Sequence, residues 1–287
     1  MRGTTLALLA LSSILAITPR AGNALDLQLE GKTALVTGST AGIGYATAKA
    51  LLKEGAQVII NARTQQSVDQ ALASLKQATG RTPLSFVGDM SKAEDAARLV
   101  KAFPDVDILV NNVGRFIPKE FTQTTDQDWY ETFELNVMSG VRLARHYLPG
   151  MKQRNWGRVI FISSESALQI PVESIHYGMS KAAQIAVARG LAETMARTGV
   201  TVNSILPGPT RDLDDPRAAE MAKRMGAKSV EEMEQQFIRT RRPTSLIQRF
   251  AHPDEVASLV VYVASPLSSA TTGAALRVDG GVVKSAF

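Results

Sequence analysis

The chain has 287 residues, no cysteine, and 32 lysines and arginines against 27 acidic residues, a formal charge of +5. That length can bury a full core without metals or disulfides, and the lack of thiols excludes disulfide frameworks, thiolate metal sites, cysteine nucleophiles and iron–sulfur ligation. A composition of 45% hydrophobic and 21% charged residues argues against disorder and against a polytopic membrane protein, and an excess of five charges is weak grounds for nucleic-acid binding, so none is expected.

The first two dozen residues stand apart. Met1-Arg2, the apolar run Leu6 to Ile17 and the small residues Ala21 to Ala24 have the form of a secretory signal peptide, and the run is too short to span a bilayer comfortably. A membrane anchor and upstream sequence foreign to the protein are the alternatives. Residues 1–24 are therefore read as a signal-like or non-native leader, and 25–287 as one domain.

From Lys32 onward, short apolar runs alternate with helical periodicity. The strand-like runs are Thr33 to Thr37, Val58 to Ile60, Leu84 to Val87, Ile108 to Val110, Val159 to Ile162, Val200 to Ile205 and Leu276 to Val278. Continuous Val/Ile runs mean strands covered on both faces, and the intervals leave room for crossover helices. The fold class expected is α/β: a single doubly wound parallel sheet (Rossmann fold) of about seven strands with helices on both faces, its ligand site at the C-terminal strand ends.

Directly after the first strand comes Thr37-Gly38-Ser39-Thr40-Ala41-Gly42-Ile43-Gly44, followed by a helical stretch from Tyr45 to Glu54. Glycines at that junction let the backbone turn tightly and approach a pyrophosphate, while the helix N-terminus offers N–H groups to the phosphates. A Walker lysine is missing, so a dinucleotide is expected and a nucleoside triphosphate is not. The second strand ends Ile60-Asn61-Ala62-Arg63. An acid there would hold the ribose hydroxyl of NAD, whereas a guanidinium suits a 2′-phosphate. NADP(H) is preferred on Arg63, with NAD(H) as the alternative.

After the fifth strand stand Ser163-Ser164, and later Tyr177-Gly178-Met179-Ser180-Lys181. Tyr177 and Lys181, four apart, share one helix face. Bringing a phenol of pKa near 10 down by about two to three units takes roughly 3–4 kcal/mol, which an ammonium about 4 Å away supplies at an effective dielectric constant near 20. The pair is thus suited to proton transfer to a carbonyl.

With these residues in order, the chain from about Leu27 to Val283 resembles the short-chain dehydrogenases/reductases, and is similar to the bacterial branch containing 3-oxoacyl-carrier-protein reductases. The motifs that carry the resemblance are Thr37 to Gly44, Asp89 in Gly88-Asp89-Met90, Asn111-Asn112-Val113-Gly114, Asn136 in Leu135-Asn136-Val137, Ser164, Tyr177 with Lys181, Asn203 with Pro207-Gly208, and Asp279-Gly280-Gly281. The resemblance implies that Tyr177 is the proton donor or acceptor, that Lys181 holds the nicotinamide ribose and depresses the tyrosine pKa, that Ser164 hydrogen-bonds the substrate oxygen, and that Asn136 steadies a water behind Lys181. It also implies that Ser39, Ala41 and Ile43 line the pyrophosphate turn with Gly38, Gly42 and Gly44. By the same resemblance Asp89 contacts adenine, Asn112 lies beside the adenosine ribose with Gly114 following, and Pro207-Gly208 faces the nicotinamide.

The chain departs from the family pattern at Val113, where alanine is usual, at Ala41, where a basic residue often precedes Gly42, and at Thr210, two places closer to Pro207-Gly208 than in many relatives. A polar, helix-prone stretch over about 211–250 corresponds to the family's substrate lid. Its Arg239, Arg241 and Arg242 are either a solvated helix end or an attractor for an anionic acyl thioester, and Arg154 and Arg197 are weak candidates for docking an acidic carrier protein. His146, His176 and His252 lack ligand spacing, so no metal is expected. A homotetramer is expected from the resemblance, with the stretches 127–148 and 182–196 facing sister subunits. The reading is an NADP(H)-dependent oxidoreductase interconverting a ketone and a secondary alcohol, a 3-oxoacyl thioester being one such substrate. The alternatives are a non-enzymatic dinucleotide sensor or scaffold and, from Gly178-Met179-Ser180-Lys181-Ala182, a serine hydrolase. A cytoplasmic location is expected, export through residues 1–24 being the alternative.

Overall fold

The computed structural model describes residues 25–213 and 215–286; the leader-like segment 1–24 lies outside the described residues. All seven expected strands form: β1 (Thr33–Val36), β2 (Gln57–Ala62), β3 (Leu84–Val87), β4 (Ile108–Asn111), β5 (Gly157–Ile162), β6 (Val200–Pro207) and β7 (Ala275–Val278). They build one parallel sheet in the order β3-β2-β1-β4-β5-β6-β7. The order reverses between β1 and β4, where Val36 pairs with Ile60 on one side and Val110 on the other. Loops leaving β1 and β4 diverge there and open the crevice in which such sheets bind ligands.

Alternation along each strand sorts the core into two halves. Ala34, Val36, Ile108 and Ile160 face one side, packed with α1 (Gly42–Lys53), α2 (Gln65–Thr79) and α9 (Pro253–Ala264); Leu35, Leu109, Val159 and Phe161 face the other, with α3 (Ala93–Ala102), α5 (Ser139–Gln153) and α6 (Ile175–Thr194). Each of the larger side chains among them, withdrawn from water, stabilises the fold by about 1.5–3 kcal/mol before chain entropy is counted. The remaining helices are α4 (Asp126–Phe133), α7 (Pro216–Arg224) and α8 (Val230–Arg241).

Local chemistry sets the helix starts. Thr64 caps α2, a Thr125/Asp128 capping box opens α4, and His252 caps α9. Between α4 and α5 runs a π-helical turn, Glu134–Met138, in which the Ser139 N–H reaches back to the Glu134 carbonyl. α1 begins at Gly42, three residues before the expected Tyr45, because the glycine turn itself winds into the first helical turn. The lid-like stretch holds α7 and α8, whose Ala222, Met233 and Ile238 bury against Phe250. Among the described residues no helix is long and apolar enough to cross a membrane.

Candidate active site

The glycine turn shows why the sequence places glycine where it does. Gly38 and Gly42 sit at φ of 60° and 54°, a region open to glycine at no steric cost, and a Cβ on Gly44 would stand 2.4 Å from the Gly38 carbonyl oxygen. α1 starts with Ala41 as its N-cap and no side chain capping it, so its first N–H groups are available to an anion. Ser39 departs from expectation. It is fully buried, its Oγ donates to the Val36 carbonyl at 2.7 Å and accepts from the Asn61 N–H at 2.9 Å, and it braces the turn from within instead of lining it.

Asn61, which the sequence reading passed over, extends that brace. Its Oδ1 accepts from Gly38 N at 3.3 Å and its Nδ2 donates to the Phe86 and Gly88 carbonyls. Asn112 does the same from just beyond β4, its Nδ2 donating to the carbonyls of Thr37 and Gly38 at 2.9 and 3.0 Å. The Val113 methyl that replaces the usual smaller side chain packs beside Gly38.

Arg63 and Asp89 lie off the main cleft, in an adjoining cavity of about 500 Å³ shared with Ser91 and Arg115. Burial works to raise the Asp89 carboxyl, but hydrogen bonds from Ser91 and the charges of Arg63 and Lys92 outweigh it and hold the group below its ordinary value. Arg63 is exposed.

The main cleft, about 620 Å³, brings together Gly38, Ala41, Gly42, Ile43, Gly44, Asn112, Gly114, Ser164, Tyr177, Lys181, Pro207 and Gly208. Met221 and Phe237 line it from α7 and α8, and Thr210 lines it despite its altered spacing. Ser164 follows β5 while Tyr177 and Lys181 descend from α6, so side chains from two elements converge at the C-terminal strand ends. Ser164 and Tyr177 line the same cleft, and Phe116 packs edge-on against Tyr177 at 5.0 Å.

Here the expected electrostatics is corrected. Burial pushes Tyr177 up to about 12; the Ser164 hydroxyl and the Arg242 charge work against the rise, and the Glu165 carboxylate adds to it. Lys181 does not pull the phenol down. Burial pushes Lys181 itself down to about 7, so at neutral pH it carries only part of its charge. Its Nζ donates to the Ile162 carbonyl at 2.9 Å and to Gln184 Oε1 at 3.1 Å, 5.6 Å from the centre of the tyrosine ring. In the cofactor-free chain the tyrosine is therefore held as the neutral acid.

Asn136 sits behind Lys181, outside the cleft. Its side chain donates to Ser180 Oγ at 2.9 Å and accepts from Arg115 N at 2.9 Å, and its carbonyl accepts from Gln184 Nε2 at 2.5 Å. The Gln184 carboxamide thus stands between the Asn136 carbonyl and Lys181, on the side where Asn136 was expected to steady a water.

A second group that sequence reasoning missed is the pair Glu165–Arg242. Glu165 follows Ser164 directly and is buried; Ser164 Oγ donates to its Oε2, and Arg242 Nε donates to its Oε1 at 2.6 Å. Arg242 is thus neither a solvated helix end nor a free anion attractor, because it is buried and bound to a carboxylate brought in from another part of the chain. Arg241 lies 3.7 Å from Glu173, and Arg154 is tied to Asp105 at 2.7 Å and the Val106 carbonyl. The only signal for Glu165 was an acid beside the candidate serine.

Ser180 lies inside α6, fully buried, donating to the Tyr177 carbonyl. A nucleophile elbow needs a strand-to-helix turn, so the hydrolase reading falls. His176 packs on Trp129, and His146 faces the Pro104 carbonyl.

Residues 38–283 match a family model described as enoyl-(acyl carrier protein) reductase. The oxidoreductase YvaG of Bacillus subtilis is 46% identical over 92% of this chain and 100% of its own length. The D-beta-hydroxybutyrate dehydrogenase of Cupriavidus necator is 35% identical over 89% and 99%. Among solved structures, the L-sorbose reductase of Gluconobacter frateurii, complexed with NADPH and L-sorbose, superposes with a TM-score of 0.83 at 33% identity, over 91% of this chain and 100% of that one.

Proposed function

The chain belongs to the short-chain dehydrogenase/reductase family, NAD(P)-dependent oxidoreductases of the CH–OH/C=O class, and from that premise we propose that it interconverts a ketone and a secondary alcohol with NADP(H), reduction being the direction favoured at neutral pH. The observation that supports this reading is the convergence of Ser164, Tyr177 and Lys181 on the cleft floored by the glycine turn. The cleft fits a dinucleotide: Gly44 leaves room where a Cβ would meet the Gly38 carbonyl, and the uncapped start of α1 offers N–H donors to phosphates. Arg63 and Asp89 would take the adenosine end, Arg63 on a 2′-phosphate.

A nicotinamide bound there supplies or accepts the hydride. The chain's own residues do the rest. Ser164 Oγ orients the substrate oxygen, and Tyr177 Oη, neutral at pH 7, donates the proton as charge develops on it. Lys181 Nζ holds the nicotinamide ribose. Phe116, Met221 and Phe237 give the substrate end of the cleft an apolar wall suited to an acyl chain, and a 3-oxoacyl thioester is the first substrate to try, beside cyclic ketones and sugars. The domain comprises residues 25–287 with its lid over about 211–250. A homotetramer accords with exposed aromatic side chains such as Tyr130 and Phe133 on 127–148.

The decisive variant is Tyr177→Phe. It is expected to abolish ketone reduction in initial-rate assays while NADPH binding, followed by fluorescence, stays within about twofold; sustained turnover would remove the assignment.

A further inference from the structure

Gln184 lies one helical turn beyond Lys181 on α6 and is almost wholly shut off from solvent, as are Lys181 and Asn136. A buried carboxamide needs partners at both ends, and here they are of opposite kinds. The ammonium can only donate and the backbone carbonyl can only accept, which fixes the amide's orientation: Oε1 accepts from Lys181 Nζ at 3.1 Å, and Nε2 donates to the Asn136 carbonyl at 2.5 Å. That carbonyl lies within the π-helical turn, and π turns commonly mark functional positions in helices. Asn136 is held in place by its own bonds to Ser180 and Arg115.

We propose that Gln184 is a positioning residue of the reaction: its carboxamide bridges the Asn136 carbonyl and the Lys181 ammonium, filling the role of a water, and sets where Lys181 Nζ stands and how readily it holds its proton. The proposal rests on the reading of Lys181 as the residue that holds the nicotinamide ribose. A second acceptor, the Ile162 carbonyl at 2.9 Å, shares the ammonium, so Gln184 supplies one of two hydrogen bonds that favour the charged form against burial. The charged groups on the surrounding elements are already committed. Glu165 and Arg242 pair with each other across Ser164 from Tyr177, Glu134 pairs with Arg142, and Arg115 faces Glu131 at 3.8 Å. None of them substitutes for the amide oxygen.

The test follows Lys181 directly, by 15N NMR of the lysine side chains in cofactor-free protein, the Lys181 signal being assigned by its loss in Lys181→Met. In Gln184→Leu the midpoint of the Lys181 titration is expected to fall by about one pH unit, the tenfold change in proton affinity that one charge-assisted hydrogen bond supports. In Gln184→Glu, which presents a carboxylate in the same place, it is expected to rise above that of the parent protein. NADPH affinity, read by fluorescence titration, is expected to weaken about tenfold in Gln184→Leu. Should the leucine variant fail to fold, the glutamate variant alone decides the direction. A Lys181 titration that is unmoved by Gln184→Glu, or one displaced in Gln184→Leu with NADPH affinity unchanged, overturns the proposal. Because the titration needs no turnover, its failure is separable from that of the reaction assignment, which Tyr177→Phe tests.

Discussion

Ser39, Asn61 and Arg63 stand at the ends of the two neighbouring strands β1 and β2 and have different fates. Ser39 and Asn61 turn inward and bond to backbone and to each other, while Arg63 projects into the cavity it shares with Asp89. An exposed guanidinium there has little to do for the fold, and the proposed reading gives it cofactor choice. Arg63→Ala is expected to raise KM for NADPH by about tenfold to a hundredfold, the range of a hydrogen bond to a charged group, and to leave KM for NADH within about twofold. Equal losses with both cofactors in initial-rate titrations would remove Arg63 from 2′-phosphate recognition. The two glycines at positive φ were legible as letters in the sequence; the inward turn of Ser39 was not, because it depends on Asn61 arriving beside it from β2.

At the scale of elements, the stretch 211–250 is tied to the Ser164 loop by a buried ion pair. Arg242 caps the end of α8, and its partner Glu165 directly follows Ser164, 77 residues earlier. The carboxylate also accepts from Ser164 and from the Ser166 N–H and hydroxyl, so the end of α8 and the Ser164 loop share a network. Removing one member of such a pair leaves an uncompensated buried charge. Arg242→Ala is expected to cost about 3–5 kcal/mol in urea unfolding, and Glu165→Gln combined with Arg242→Met to recover most of it. A single variant within about 1 kcal/mol of the parent, well short of that range, would show that the pair is not held as described. The helical tendency of the stretch 211–250 was readable from local pattern. The burial of Arg242 was not, since nothing near it in sequence marks a carboxylate partner.

For the whole molecule, burying Lys181 links catalysis to stability. Its pKa in the folded chain, about 7, lies below that of an unfolded lysine. Between those values the unfolded state binds the extra proton, so this group's contribution to stability rises with pH from about 7 to about 10 and is flat below 7, where both states are charged. Tyr177 acts in the opposite sense and higher up: its pKa is raised to about 12, so stability from its neutral form holds below the unfolded value near 10 and is lost above it. Lys181→Met removes the buried charge, and its stability advantage over the parent in thermal melts is expected to be largest at or below pH 7 and to shrink toward pH 10. Parallel curves would mean that the ammonium is solvated in the native protein.

The sequence by itself determined the seven strands, their parallel arrangement, the dinucleotide turn and the trio Ser164, Tyr177 and Lys181. Each of these is written in local pattern: continuous apolar runs, glycines at a strand-to-helix junction, and a four-residue spacing on one helix face. Only the tertiary structure decided that Ser39 points inward, that Lys181 gives its hydrogen bonds to Ile162 and Gln184 instead of pulling on the tyrosine, and that Arg242 closes on Glu165. Protonation and pairing depend on burial and on partners brought together across long stretches of chain, and neither distance nor dielectric is encoded in the spacing of letters.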